Sequence, residues 1–247
     1  MLDREMNRAL EEGVRNSGDT LNYTEVVSGG LQDSCEIYHT LRVPRGGEYT
    51  LVLADGTTVY LNAESELRFP KQFRGKKRKV YLTGEGYFDV QRNEKQPFIV
   101  EAQQVAIRVL GTSFGVRAYT REVNVLTTLV QGRVNVEADG QQVELNPGQQ
   151  ADFNRENDRL TVAEVDVEQY VGWKDGRLVF DNKPLEFILE ELGRWYSFDV
   201  FYTNKELKEI PYSLNIKKHE DIAHVLKFIE RTGKVKFEVN KNMIIVK

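Results

Sequence analysis

The chain has one cysteine, Cys35, and three histidines, His39, His219 and His224. A single thiol excludes an intramolecular disulfide and any cysteine-rich zinc site, and it does not fix the redox compartment. The histidines form neither an H-E-x-x-H signature nor an i, i+4 pair, and His219 and His224, five apart on a helix, diverge by more than about 100°. They read as exposed or cap-region side chains, so neither a metal nor a cofactor is expected. No run of eighteen apolar residues occurs, and residues 1–30 hold no signal-peptide core. Taken alone these absences describe a soluble, cytoplasmic chain, unless an export signal or membrane anchor lies upstream, which the polar and irregular opening allows. Excess positive charge is also missing: the formal net charge of −4 denies the molecule an overall field that would hold nucleic acid or an anionic membrane surface.

What is present is an ordinary globular composition, with 40% hydrophobic and 29% charged residues over a length of 247, enough for one large domain or two modest ones. Residues 1–40 carry weak helical periodicity at Leu2, Met6 and Leu10, then the loop compositions NSGDT and SGG, and read as a linker segment. From Leu41 the period is two. YTLVL and TTVYLNA flank Asp55-Gly56, whose glycine suits a tight hairpin turn, and KVYL, YFDV, FIVEA, VAIRVL, VNVLTTLV, RVNVEA and QVEL follow in the same manner. Many short strands with regular turns predict an all-β sandwich or roll over residues 41–170.

After Trp173 the pattern alternates between strand and helix. RLVF reads as a strand, Pro184 opens a helix with Leu185, Ile188, Leu189 and Leu192 on one face, and FDVFY and YSLNI return to strand. A second helix carries Ile222, Val225, Leu226 and Ile229, Gly233 stands where a C-terminal cap belongs, and the hairpin VKFEV–MIIVK closes the chain. Residues 176–247 are therefore expected to form a small β-α-β-β-α-β-β domain, making the whole an α+β two-domain chain.

The stretch VLGTSFGVRAY, from Val109 to Tyr119, resembles a site of chemistry but lacks the lysine and spacing of a phosphate-binding loop, and no G-x-S-x-G elbow occurs. The residue pattern explains it as a bent strand, with Gly111 and Gly115 relaxing the backbone while Phe114 and Val116 alternate toward the core. Asp55, Glu64, Glu66, Glu85 and Asp89 are numerous enough to supply the carboxylate pair of a glycosidase, yet a solvated strand face accounts for them equally. The basic cluster Arg74, Lys76, Lys77, Arg78 and Lys79 reads as a solvated turn rather than a phosphate or nucleic-acid site.

Several segments resemble, in order, the motifs of the FecR family: VPRGGEYTLVLADGTTVYLNAESELRFP, FRGKKRKVYLTGEGYFDV, QPFIVEA, IRVLGTSFGVRAY, LVQGRV and LNPGQQADF. Downstream, GWKDGRLVFDNKPLEFILEELGRWYSFDVFY is similar to the linker and small STN-like domain of the Bacteroidetes branch of that family. The resemblance implies a transmembrane anti-sigma factor whose periplasmic part receives a signal from an outer-membrane TonB-dependent transporter for an extracytoplasmic-function sigma factor. It also implies that the chain is the periplasmic portion, anchored in the full-length protein by a membrane helix absent here, and that sigma-factor binding belongs to a missing cytoplasmic domain. No catalytic role is implied, with one exception: some members are cut at the bond matching Gly111-Thr112, by attack of the threonine hydroxyl on the preceding carbonyl. The partner would pair with an exposed strand edge, for which Val235, Phe237, Val239, Ile244 and Val246 of the terminal hairpin are the candidates. The alternative function is a periplasmic glycan-binding β-sandwich, which would require Tyr81, Tyr87 and Trp173 to line one groove.

Overall fold

The computed structural model describes residues 15–24, 36–217 and 220–247, and the chain divides into two compact units. One comprises the described residues up to Val43 together with Glu48–Val167; the other comprises Pro44–Gly47 and Glu168–Lys247.

Among its described residues the first unit is built of strands. In chain order the strands are β1 (Arg15–Ser17), β2 (Thr20–Asn22), β3 (Tyr38–Arg42), β4 (Tyr49–Val52), β5 (Thr58–Leu61), β6 (Glu66–Pro70), β7 (Arg78–Asp89) and β8 (Phe98–Ala102). They continue as β9 (Val105–Val109), β10 (Ser113–Ala118), β11 (Asn124–Gln131), β12 (Val134–Ala138), β13 (Gln141–Leu145), β14 (Gln149–Asn154) and β15 (Arg159–Glu164). One series runs β1-β2-β4-β5-β7-β10-β11-β14-β15, and a second runs β3-β6-β7-β8-β9-β12-β13. Leu51, Val59, Phe114 and Phe153 of the first series share one core cluster with Phe69, Val100, Ile107 and Val136 of the second. The alternation of buried and open residues, as in Val105, Ile107 and Val109 of β9, is the period of two seen in the sequence. Each large apolar side chain closed off in this way contributes roughly 1.5–3 kcal/mol.

Strand β7 belongs to both series. Residues 78–83 pair with β6 and β8, whereas residues 84–89 pair with β5 and β10. Gly84 stands at the changeover with φ at 95°, and a Cβ there would lie 2.7 Å from the Ser65 Cα. KVYL and YFDV, which read as two strands, are thus one strand bent at a glycine.

The expected linker over residues 1–40 is corrected in its described part. β2 pairs in parallel with β4 and β3 pairs with β6, and Leu21 and Tyr23 are buried. Three residues of β2 are too few to display a period, so only the pairing reveals it. The helix expected around Leu2, Met6 and Leu10 lies outside the described residues, as do Cys35 and His219.

On β14, Asp152 Oδ2 accepts a hydrogen bond from Asn124 Nδ2 at 2.9 Å, while its Oδ1 is buried with no partner among the described residues. Burial raises this carboxyl above the ordinary aspartate range, and the Asn124 hydrogen bond opposes the rise. The native state therefore holds the proton more tightly than the unfolded chain, and stability falls as pH climbs from the unfolded value through the raised folded one. Asp152→Asn should raise the melting midpoint slightly at pH 7 and leave it unchanged at pH 3, where both states are protonated. Thermal denaturation at the two pH values checks this.

The second unit begins with α1 (Glu168–Val171) and a 3-10 turn (Gly172–Asp175). Then come β16 (Arg177–Pro184), α2 (Leu185–Tyr196), β17 (Asp199–Tyr202), a 3-10 turn (Lys205–Glu209), β18 (Pro211–Lys217), α3 (Ile222–Glu230), β19 (Phe237–Asn240) and β20 (Met243–Val246). Pro184 caps α2, and Leu185, Ile188, Leu189 and Leu192 are fully buried on one stripe. Asp221 caps α3 by accepting from Ala223 N at 2.9 Å, and Val225, Leu226 and Ile229 form its buried stripe. β16 and β18 make a two-stranded antiparallel sheet; β17, β20 and β19 make a three-stranded sheet in that order, with β17 parallel to β20.

Pro44–Gly47, expected from its sequence inside the β-rich domain, groups with this second unit. The cause is specific bonding: Arg45 Nη2 donates to the Phe198 carbonyl at 2.8 Å, Nη1 meets Asp199 at 2.7 Å, and Gly46 N donates to the Arg194 carbonyl at 2.8 Å. Gly193 leaves room for these contacts, since a Cβ there would stand 2.8 Å from the Phe198 carbonyl oxygen and 3.3 Å from Arg45 Nη2.

Candidate functional site

Gly111 and Thr112 lie in the bend between β9 and β10, where the chain passes from the second strand series to the first. Gly111 has no room for a side chain, because a Cβ would fall 2.6 Å from the Arg92 Cα. Leu110 O accepts from Asn93 N at 2.7 Å and Thr112 O accepts from Val90 N at 3.0 Å, so the backbone on both sides of the bond is pinned. Thr112 is buried, and its Oγ1 donates to the Arg133 carbonyl at 3.0 Å, packed against Gly132, whose own φ is 98°. The acceptor of the hydroxyl proton is therefore a backbone carbonyl, a weak base already part of the fold. Phe114 and Val116 are buried as expected, and a bulge in the β10–β11 register falls between Ser113 and Phe114. This geometry gives the motif a part in shaping the backbone. After prolonged incubation the purified chain should keep its full mass of 28.5 kDa, and release of a fragment beginning at Thr112 would contradict that expectation.

The five carboxylates do not converge on one site. Asp55 accepts from Thr57 and pairs with Arg78, Glu66 pairs with Arg42, and Asp89 accepts from Ser113 Oγ. Glu85 is buried in a network: it accepts from Asn62 Nδ2 at 2.7 Å and faces Arg117 Nη1 at 3.5 Å, while Arg117 forks onto Glu122 at 2.8 and 2.6 Å. Glu64 occupies a turn with φ at 58°. The basic cluster also needs correction, because Arg78 is only 1% exposed and serves the fold and Lys79, on β7, pairs with Glu101 at 2.8 Å, leaving Arg74, Lys76 and Lys77 on the turn.

The aromatic platform required by a glycan reader does not assemble. Tyr87 and Trp173 are buried in separate units, and Tyr81 lies beneath the Arg68 guanidinium, 5.2 Å from its ring centroid. A groove of about 310 Å³ on the β-rich unit is lined by charged and small residues such as Lys79, Glu101, Arg108 and Asp139, with no aromatic ring. Among the described residues no group of three or more His, Cys, Asp or Glu is placed to hold a metal ion.

In the second unit the sheet edges differ from expectation. Ile244 and Val246 are buried on β20, the middle strand, and Val235 is buried ahead of β19. Of the five candidates only Phe237 and Val239 lie on an edge strand. The final strand is paired on both sides because β17 joins it in parallel across a long connection, which a hairpin pattern cannot reveal. Sequence patterning did not single out β18. Among the described residues that strand pairs with β16 alone, and a groove of about 500 Å³ runs between its residues 213–216 and α3, lined there by His224, Val225, Lys227, Phe228 and Arg231, with Glu220 ahead of the helix.

Two family models match the chain in order, one described as FecR protein over residues 39–135 and one as FecR, C-terminal, over residues 177–246. This chain belongs to the FecR family. Two crystal structures of a candidate anti-sigma factor from Parabacteroides distasonis ATCC 8503, at 1.65 and 2.50 Å resolution, superpose on it with a TM-score of 0.78. Each is 26% identical and covers 85% of this chain and 98% of its own. No curated protein shows a significant match. This FecR member is accordingly an anti-sigma factor of signal transduction, a regulatory class. Among its described residues no helix is long and apolar enough to cross a membrane.

Proposed function

We propose that this FecR chain is the periplasmic, signal-receiving region of a membrane-anchored anti-sigma factor. Its residues 176–247, as an STN-like domain, receive the signalling domain of an outer-membrane TonB-dependent transporter, and the message passes to an extracytoplasmic-function sigma factor held by another part of the protein. The observation that carries the reading is the succession of two FecR regions on one chain, the second a small unit whose sheets end, among the described residues, in strands paired on one side only. Such edges suit a relay, since backbone groups left open on a strand supply affinity without any catalytic set.

The test is a promoter reporter for the sigma factor in cells carrying the complete protein. Deleting residues 168–247 should leave the reporter unresponsive to the nutrient that the transporter imports. An unaltered response in the deletion strain, with the truncated protein present at normal level, would overturn the proposal.

A further inference from the structure

Among the described residues β18 has a neighbour on one side only, and the groove of about 500 Å³ follows its other side, since residues 213–216 line it consecutively while no residue of β16 does. Backbone N–H and C=O groups along an open edge demand partners, and a strand laid beside them satisfies them in a row. The opposite wall is α3. It presents Phe228, which is 58% exposed, and beside it Lys227 and Arg231, four residues apart on one helix face. Neither cation forms an ion pair among the described residues, and the groove's one carboxylate is Glu220, with His224 the remaining titratable group. On a chain with net charge −4, this is a locally cationic, partly apolar slot against an open strand.

We infer that the open edge of β18 accepts an extended strand of a partner protein bearing acidic side chains at alternate positions, which lengthens the β16–β18 sheet beneath α3. Successive side chains of an added strand point to opposite faces, so one alternate set meets Phe228, Lys227 and Arg231 while main-chain hydrogen bonds run along β18. The inference deepens the receiving role proposed above and rests on it for the partner's identity; the groove chemistry stands by itself.

The probe is a synthetic octapeptide alternating valine and glutamate, titrated onto the full, isotope-labelled chain, with a valine–lysine octapeptide as comparison. The valine–glutamate peptide should shift and protect β18 amides and perturb α3, and the valine–lysine peptide should bind at least tenfold more weakly. Lys227→Glu combined with Arg231→Glu, both exposed positions, should reverse that preference, and the difference should shrink at high salt. Equal affinity for the two peptides, protection along β17 or β19 instead, or no binding below about 1 mM would overturn the inference. Protection of β18 that grows with protein concentration alone would assign the edge to a second copy and overturn it as well. Titration with the transporter's signalling domain separates the two claims. A domain that fails to bind while the octapeptide binds removes the proposed relay and leaves the groove, whereas failure of the octapeptide removes the groove.

Discussion

Replacing Arg78 with alanine should destabilise the β-rich unit by about 3–5 kcal/mol, the range for breaking a buried ion pair by removing one partner. Arg78 is 1% exposed; Nη1 meets Asp55 Oδ2 at 2.6 Å and the Gln91 carbonyl at 2.8 Å, and Nε donates to the Gln96 carbonyl at 2.8 Å. Its guanidinium carbon stands 5.4 Å from the Phe98 ring centroid, so the side chain also fills volume in the core. Alanine would strand Asp55, only 14% exposed at its side chain, beside two unsatisfied carbonyls and a cavity. Lysine should recover only a part, because a single ammonium cannot reproduce a fork with three fixed acceptors. Urea denaturation measures both variants, and an alanine variant within about 1 kcal/mol of the parent would show that the Arg78 contacts do not hold the fold.

Gly84→Ala should have a comparable effect, about 3 kcal/mol or more, through backbone geometry and sterics together. Its φ of 95° disfavours any side chain, and the added Cβ would press to within 2.7 Å of the Ser65 Cα, a backbone atom that cannot rotate away. Displacing Ser65 would also break the hydrogen bond that its Oγ accepts from Glu85 N at 2.8 Å, at the point where β7 changes partners. Gly56 is the internal comparison: its φ is 84°, but nothing lies within 4 Å of the place a Cβ would take. Gly56→Ala should therefore lose about 1 kcal/mol, the conformational part alone. Equal losses at the two glycines would mean that the close packing at Gly84 carries no energy.

The contrast between these glycines marks what a sequence can and cannot display. Local periods are visible: Leu185, Ile188, Leu189 and Leu192 share a buried stripe, and Phe114 and Val116 alternate inward. Pairing partners are not, because they depend on which distant segments meet. Hence β18, an ordinary alternation of apolar and polar residues, is an edge among the described residues, while the more apolar Ile244 and Val246 lie in the middle of their sheet. Apolarity identified burial there, and burial is what a central strand has. Charge carries the same ambiguity. Lys76, Lys77 and Arg78 are adjacent in sequence, yet only Arg78 turns inward, because position 78 begins the alternation of β7 and faces Asp55. The ordered series of FecR motifs showed more than any single residue, since a whole succession constrains topology in a way that one glycine or one histidine does not.

The receiving role is tested most directly by titrating the transporter's signalling domain onto the isotope-labelled full chain and following its amide resonances. Saturable shifts are expected only in the second unit, Pro44–Gly47 and Glu168–Lys247, with their loss when residues 168–247 are removed. Saturable shifts confined to residues 48–167, or binding that survives the deletion, would contradict that role.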